Sequence, residues 1–262
     1  MRALSTAATG MAAQQLNVEV ISNNIANMNT VGFKKQRAEF EDLLYQDISS
    51  PGEQSSSTNT VVPTGIQIGA GVKTGSVYRI TEQGSMTQTG NPLDLAIKGT
   101  GYFQVLLPSG DTAYTRAGNF SVNQNGQLVT ADGYQVQPLI SIPASSSNIT
   151  VSPTGQVQVN NPGSTTPTVV GQLTIASFAN EAGLQALGDN LFQVSNASGQ
   201  AVVANPGDPG MGQLMQGYTE ASNVDPVTEV TALISAQRAY EMNSKIVTAA
   251  DQMLTTTSQM KS

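Results

Sequence analysis

The chain has 262 residues and a net charge of −7, with only 11% charged and 39% apolar residues and neither His nor Cys. A globular domain usually carries about 25% charged residues, so few ions lose water when copies of this chain approach one another. Without His and Cys there are no disulfides and no thiol chemistry, and most transition-metal and nucleophile–base arrangements are out of reach.

Residues 1–28 read as a helix. Met1, Leu4, Ala8, Met11, Val18 and Ile25 follow a three-then-four spacing, and Ala7, Ala12, Leu16 and Ile21 widen the stripe. Gln15 and Ser22 interrupt the seam, which disfavours a long unbroken coiled coil within one chain. The helix is expected to fail between Asn27 and Gly32, with Gly32 as its C-terminal cap. This N-terminal segment is too polar for the core of a cleaved secretory signal, so none is expected. Lys34, Lys35 and Arg37, followed by Glu39, Glu41 and Asp42, read as a solvated helix face with charges paired at helical spacing.

Residues 46–60, QDISSPGEQSSSTNT, have the composition of a linker. From Val61 onward short β-prone runs alternate with turns at Asn125-Gly126, Asp132-Gly133, Thr154-Gly155 and Ser198-Gly199. Gly-Gln recurs at Gly126, Gly155, Gly171, Gly199 and Gly212 at uneven intervals, which reads as a reused turn-into-strand device and not as a solenoid. An antiparallel β domain, closed as a barrel or a sandwich, is expected.

Candidate chemistry in this middle region is thin. Gly99-Thr100-Gly101 lacks the third glycine, the following helix and the downstream acid of a nucleotide loop. Asp94 lies in a β-prone run, and Asp111 and Asp132 sit in glycine turns, where Asp shapes backbone. No enzyme, metal or cofactor is expected. Residues 46–223 hold ten acids against Lys73, Arg79, Lys98 and Arg116, a balance that argues against nucleic acid. No apolar run approaches the roughly 18 residues of a spanning helix, so no membrane insertion is expected.

Residues 224–262 read as a second helix. Asp225 can cap it, Pro226 suits its first position, and Glu229 lies where the helix dipole favours an acid. Val230, Leu233, Ile234, Tyr240, Ile246, Val247, Ala250, Met253 and Leu254 then fall at spacings of three and four. Roughly 35 helical residues span about 50 Å, and so long an apolar face needs a cover. The expected fold class is therefore α+β. The terminal helices pair in coiled-coil fashion around a central antiparallel β-rich domain, and leftover apolar surface is covered by other copies.

Four segments carry a family resemblance: SNNIANMNTVGFKK from Ser22, NPLDLAIKGTGYFQV from Asn91, YTRAGNFSVNQNGQLVTADGY from Tyr114 and SNVDPVTEVTALISAQRAYEMNSK from Ser222. In order and spacing they resemble the flagellar rod and hook axial protein family, its distal-rod branch best. The segment from Tyr45 to Pro63 looks like the one that separates distal rod from hook. The resemblance implies a helical homopolymer, a rigid tube that transmits torque from motor to hook. Residues 1–30 and 224–262 would form its inner wall and 70–215 its outer domain. Residues 31–69 and 216–223 would connect them, with the Ser/Thr-rich stretch at 46–63.

Implied partners are further copies, proximal-rod and hook proteins, the surrounding P-ring and L-ring proteins, and the flagellar type III export apparatus. The implied location is the basal body, from the periplasm to the outer membrane. Candidate self-assembly residues are Leu4, Met11, Val18, Asn24, Ile25 and Asn27, with Val230, Leu233, Ile234, Arg238, Tyr240, Asn243, Val247 and Leu254. The asparagines would make fixed hydrogen bonds at a subunit boundary. The rival readings are another axial protein, proximal rod or short hook, and a secreted β-rich adhesin. The adhesin reading wants exposed aromatic residues for sugar stacking, and this chain has no Trp.

Overall fold

A computed structural model of the chain describes residues 2–49, 64–143, 146, 148–161 and 166–260. Helix α1 spans Arg2–Ala26 and helix α2 spans Pro226–Gln259. Asp225 caps α2, its carboxylate accepting from the Val227 amide at 3.3 Å and from the Thr228 hydroxyl at 2.5 Å, with Pro226 in the first turn. Past α1 the chain turns through Asn27–Val31. Gly32, at φ +71°, lies too far beyond Ala26 to cap the helix and instead closes that turn. A Cβ there would lie 2.8 Å from the Ala117 amide nitrogen, so the close approach of backbone to backbone also requires glycine.

The chain divides into two compact units. The helical unit comprises residues 1–25, 36–78 and 225–262, and the β unit residues 26–35 and 79–224. The segment expected to connect helices to β domain, 31–69, is thus split between them. In the helical unit, Gln36–Asp42 is a strand paired with Val72–Arg79, and Tyr45–Ser49 pairs antiparallel with Ile66–Gly69. Residues 50–63, most of the Ser/Thr-rich stretch, lie outside the described residues.

The strand at 36–42 corrects the helical reading of its charges. Ala38 and Phe40 alternate inward while Arg37, Glu39 and Glu41 point out, a period of two that the charge signs alone disguised. Arg37 reaches Glu39 at 3.8 Å on that face, and Glu41 pairs with Lys73 of the neighbouring strand at 2.9 Å. Lys34 is not on a solvated face at all; it is buried.

In the β unit, nine strands among the described residues form one antiparallel sheet centred on Tyr102–Leu106. That strand pairs with Thr112–Thr115 along one edge, and with Gln135–Gln137 and Ile175–Ser177 along the other. The sheet runs out to the short strands Gln185–Gly188 and Ser121–Val122 without closing, so the sandwich alternative describes it and the closed barrel does not. A second sheet, Asn148–Val151, Gln156–Asn160 and Thr168–Gln172, shares its core.

Both faces of the central strand are buried. Phe103 and Val105 enter a core with Leu95, Ile97, Phe120, Val136, Val159 and Ile175. Tyr102 enters a second, aromatic cluster and meets Phe178 and Phe192 edge-on, with ring centroids 5.7 and 6.0 Å away.

The four expected turn glycines all adopt positive φ. Those at Gly126, Gly133 and Gly155 close hairpins, whereas Gly199 turns the chain between strands with different partners. Gly171 is no turn: it lies within a strand, where a Cβ would come within 2.8 Å of Ile140.

Candidate self-assembly surface on the terminal helices

Contacts in the helical unit run in reversed order along the two helices. The Asn24 amide donates to Glu229 at 3.2 Å, and a Cβ on Gly10 would lie 2.9 Å from Nδ2 of Asn243. The helices are therefore antiparallel. The residues buried on α2 are Glu229, Ala236 and Ala250, with half-buried Asn243 completing a repeat of seven. On α1 the buried residues are Ala7, Ala13, Val20, Ile21 and Asn24. On α2 this seam is made of small and polar side chains, and on α1 only Val20 and Ile21 add bulk to it. Small and polar side chains let helices approach closely but remove little apolar area from water, at about 25 cal/mol per Å².

The bulky apolar residues lie elsewhere. Val227, Val230, Ile234, Tyr240, Met242, Ile246, Met253 and Leu254 of α2 and Met260 just past its end are all exposed, Val227 and Met260 more than 70%. Among the described residues a groove of about 340 Å³ opens beside the seam, lined by Gln15, Val18 and Glu19 of α1 and by Gln237, Tyr240 and Glu241 of α2.

The expected contact residues fall into three groups. Val230, Ile234, Arg238, Tyr240 and Leu254 are exposed on α2. Leu4, Met11, Val18, Ile25, Leu233, Asn243 and Val247 are half-buried; of the stripe read on α1, Ala7 and Ile21 are buried, with Ala13 and Val20 buried beside it. Asn24 and Asn27 form the third group. Asn24 is 1% exposed; besides its bond to Glu229 it donates to the Gln36 carbonyl and accepts from the Gln36 amide, both at 2.8 Å. Its amide pins the chain after the helix and spends its bonds within this chain. Asn27, half-buried, accepts from the Thr30 hydroxyl at 3.1 Å within its own turn.

The β unit holds a charged cluster that sequence reasoning missed. Glu220, 1% exposed, accepts from Lys34 Nζ at 2.5 Å, the Gly84 amide at 2.9 Å and Arg116 Nε at 2.7 Å. Arg116 spends its other nitrogens on the carbonyls of Gly101, Ile97 and Gly99, at 2.6, 3.2 and 2.5 Å. Burial pushes the Glu220 carboxyl up, but Arg116 and Lys34 together outweigh it and hold it below the ordinary carboxylate range. Burial pushes the Lys34 ammonium down more than its share of one carboxylate restores. The available signal was the isolation of Arg116 and Glu220 in weakly charged segments, but Lys34 opens a run of charges and nothing in their spacing joins the three.

The aspartates Asp94 and Asp111 serve local structure, accepting from Asn91 at 2.9 Å and Ser109 at 3.0 Å. Among the described residues no group of three or more acids is placed to hold a metal, and no helix is long and apolar enough to cross a membrane.

Comparison with known proteins places these elements in one family. Residues 4–34 match the model of flagella basal body rod proteins, residues 96–159 that of the D1 domain of flagellar hook proteins FlgE/F/G, and residues 215–260 the C-terminal model of basal body rod FlgEFG proteins. The chain is 67% identical to the flagellar basal-body rod protein FlgG of Caulobacter vibrioides across all of both chains. It is 55% identical to that of Agrobacterium fabrum and 42% identical to that of Bacillus subtilis, each over 97% of both chains. A chain with this helical seam, this β unit and these relatives belongs to the flagellar basal-body rod protein FlgG family.

Proposed function

We propose that this rod subunit is a non-catalytic building block of the distal rod and polymerises through the outward faces of α1 and α2. The observation that carries the reading is the sorting of side chains on α2. Glu229, Ala236 and Ala250 are buried, Leu233 and Val247 are half-buried, and the other large apolar residues, among them Val230, Ile234, Tyr240, Met242, Ile246 and Met253, are exposed. A soluble monomer gains nothing from that arrangement, whereas burial of each large side chain by a neighbouring copy contributes about 1.5–3 kcal/mol. Repeated around a helical tube, it yields a stiff shaft.

On this reading the shaft runs between the proximal rod and the hook, inside the P and L rings, and reaches from the periplasm to the outer membrane. Its subunits would be delivered by the flagellar type III apparatus. The test is a double change, Ile234→Asp with Ile246→Asp, in the full chain. Both residues are exposed, so circular dichroism and the unfolding midpoint of the monomer should not move. Polymer yield by sedimentation and electron microscopy should collapse. Filaments at normal yield would show that the outward face of α2 is not the contact.

A further inference from the structure

Three segments of the β unit meet around Glu220: residues 30–35, residues 79–85 and residues 218–224. Along the chain they continue into α1, into the strand Val72–Arg79 and into α2. Their mutual bonds are dense. The Gly32 amide donates to the Glu220 carbonyl at 2.8 Å and the Ile80 amide to the Lys35 carbonyl at 2.9 Å. The Ala221 amide donates to the Ser85 carbonyl at 2.9 Å. Asn223 accepts from the Lys35 amide at 2.7 Å and donates to the carbonyls of Ile80 and Glu82 at 3.0 and 3.1 Å. Lys34 Nζ adds a bond to the Glu82 carbonyl at 2.7 Å.

Ties from this collar to the sheet are fewer. Gln83 bonds the Ile97 carbonyl and the Gly99 amide, and Asn190 reaches the Val31 carbonyl at 3.1 Å. Arg79 stacks over the Phe192 ring at 4.3 Å, and the ion-pair tie is Glu220 to Arg116. It is lopsided, because Arg116 is fixed by three carbonyls of its own loop whether or not Glu220 is present. The sheet therefore carries a ready-made cationic socket, and Glu220 is the plug.

We propose that the three segments form one cooperative collar that opens and recloses as a unit, latched to the sheet by insertion of Glu220 beside Arg116. A region rich in internal bonds and tied to its surroundings by a few contacts meets the conditions for sub-global opening. In this fold it means that the chain leaving α1 and the chain entering α2 are released together while the β core stays folded. The device is independent of how copies assemble, since every residue in it belongs to one β unit.

Native-state hydrogen exchange of the full-length monomer in rising urea tests it. The amides of Gly32, Lys35, Ile80, Gly84 and Ala221 should converge on one isotherm, reached before that of the strand amides of Phe103, Val105 and Tyr114. Asn223→Ala should then accelerate Gly32, Gly84 and Ala221, which Asn223 does not touch, as much as Lys35, which it does. Glu220→Gln keeps the shape and removes the charge. It should accelerate all five amides by at least about tenfold, the worth of a charge-assisted bond, and leave the strand amides within about twofold. Five separate isotherms, one isotherm merged with the strand amides, or acceleration of Lys35 alone in Asn223→Ala would each overturn the proposal. The wild-type isotherms decide it even where a variant fails to fold.

Discussion

The two units fill their interiors with opposite materials. The β unit buries Phe103, Phe120, Leu173 and Ile175 almost completely and locks its rings edge-to-face. The helical unit seats Gly10, Ala13 and Ala236 inward and turns Ile234, Met242 and Met253 out. Position in the sequence does not explain this, since both units are rich in residues able to fill a core. The difference lies in where burial is completed: within one chain for the β unit, and only beside further copies for the helices. A helix pair with so little apolar area between its members draws weak support from its own seam, and isolated helices are marginal in water.

Substitutions that separate the two units put this comparison at risk. Phe103→Ala should have the largest effect, a loss of about 3–5 kcal/mol from the β unit in urea denaturation. A loss under about 1 kcal/mol would mean that this core is not what holds the unit together.

Acid should act next, through Glu220, whose carboxyl faces Lys34 and Arg116, with Glu181 nearby. Its pKa is depressed on folding, so its contribution is full above the ordinary carboxylate value near 4.5. That contribution is lost as pH falls through the lower, folded-state value. Lys34 works with the opposite charge. Its pKa is also lowered in the folded chain, so its contribution grows as pH rises toward the normal lysine range and does not weaken it. Unfolding midpoints of wild type and Glu220→Gln should therefore converge as pH drops below about 4; parallel acid limbs would remove Glu220 from the account.

Asn24→Ala should cost about 1–3 kcal/mol locally by orphaning the Gln36 amide and carbonyl, read as faster exchange at Gln36 with the strands unchanged. The smallest monomer effect belongs to Ile234→Ala, under about 0.5 kcal/mol, although the same change should lower polymer yield. A large monomer effect would show that the outer face already has a partner within the chain.

Much of this was legible in the residues. Asp225-Pro226 marked the start of α2 because capping chemistry is local, and the glycine turns of the β unit followed from backbone sterics at single positions. The helix seam was harder. Its inward residues on α2 are small or polar, so a search for large apolar side chains found mostly the outward face there, while on α1 it caught Ala7 and Ile21 and missed Ala13, Val20 and Asn24 beside them. The strand at Gln36–Asp42 was misread because alternating charges suit a strand as well as a helix, and its two inward residues gave too short a pattern. The buried cluster was out of reach for another reason: Lys34 and Glu220 are 186 residues apart, and no local rule connects them.

Arg116 has a consequence for how the chain stores information. The loop from Ile97 to Gly101 points three carbonyls at one guanidinium fifteen or more residues away, and two glycines at positive φ make that convergence possible. The shape of the loop is thus written in a residue it does not contain. A peptide copied from these positions would lose its form, and transplanting the loop into another protein would fail unless the arginine travelled with it. Lysine is no substitute, since three tetrahedral donors on one nitrogen do not reproduce a planar fork. Heredity here is not modular: the smallest portable piece is the loop together with its distant arginine.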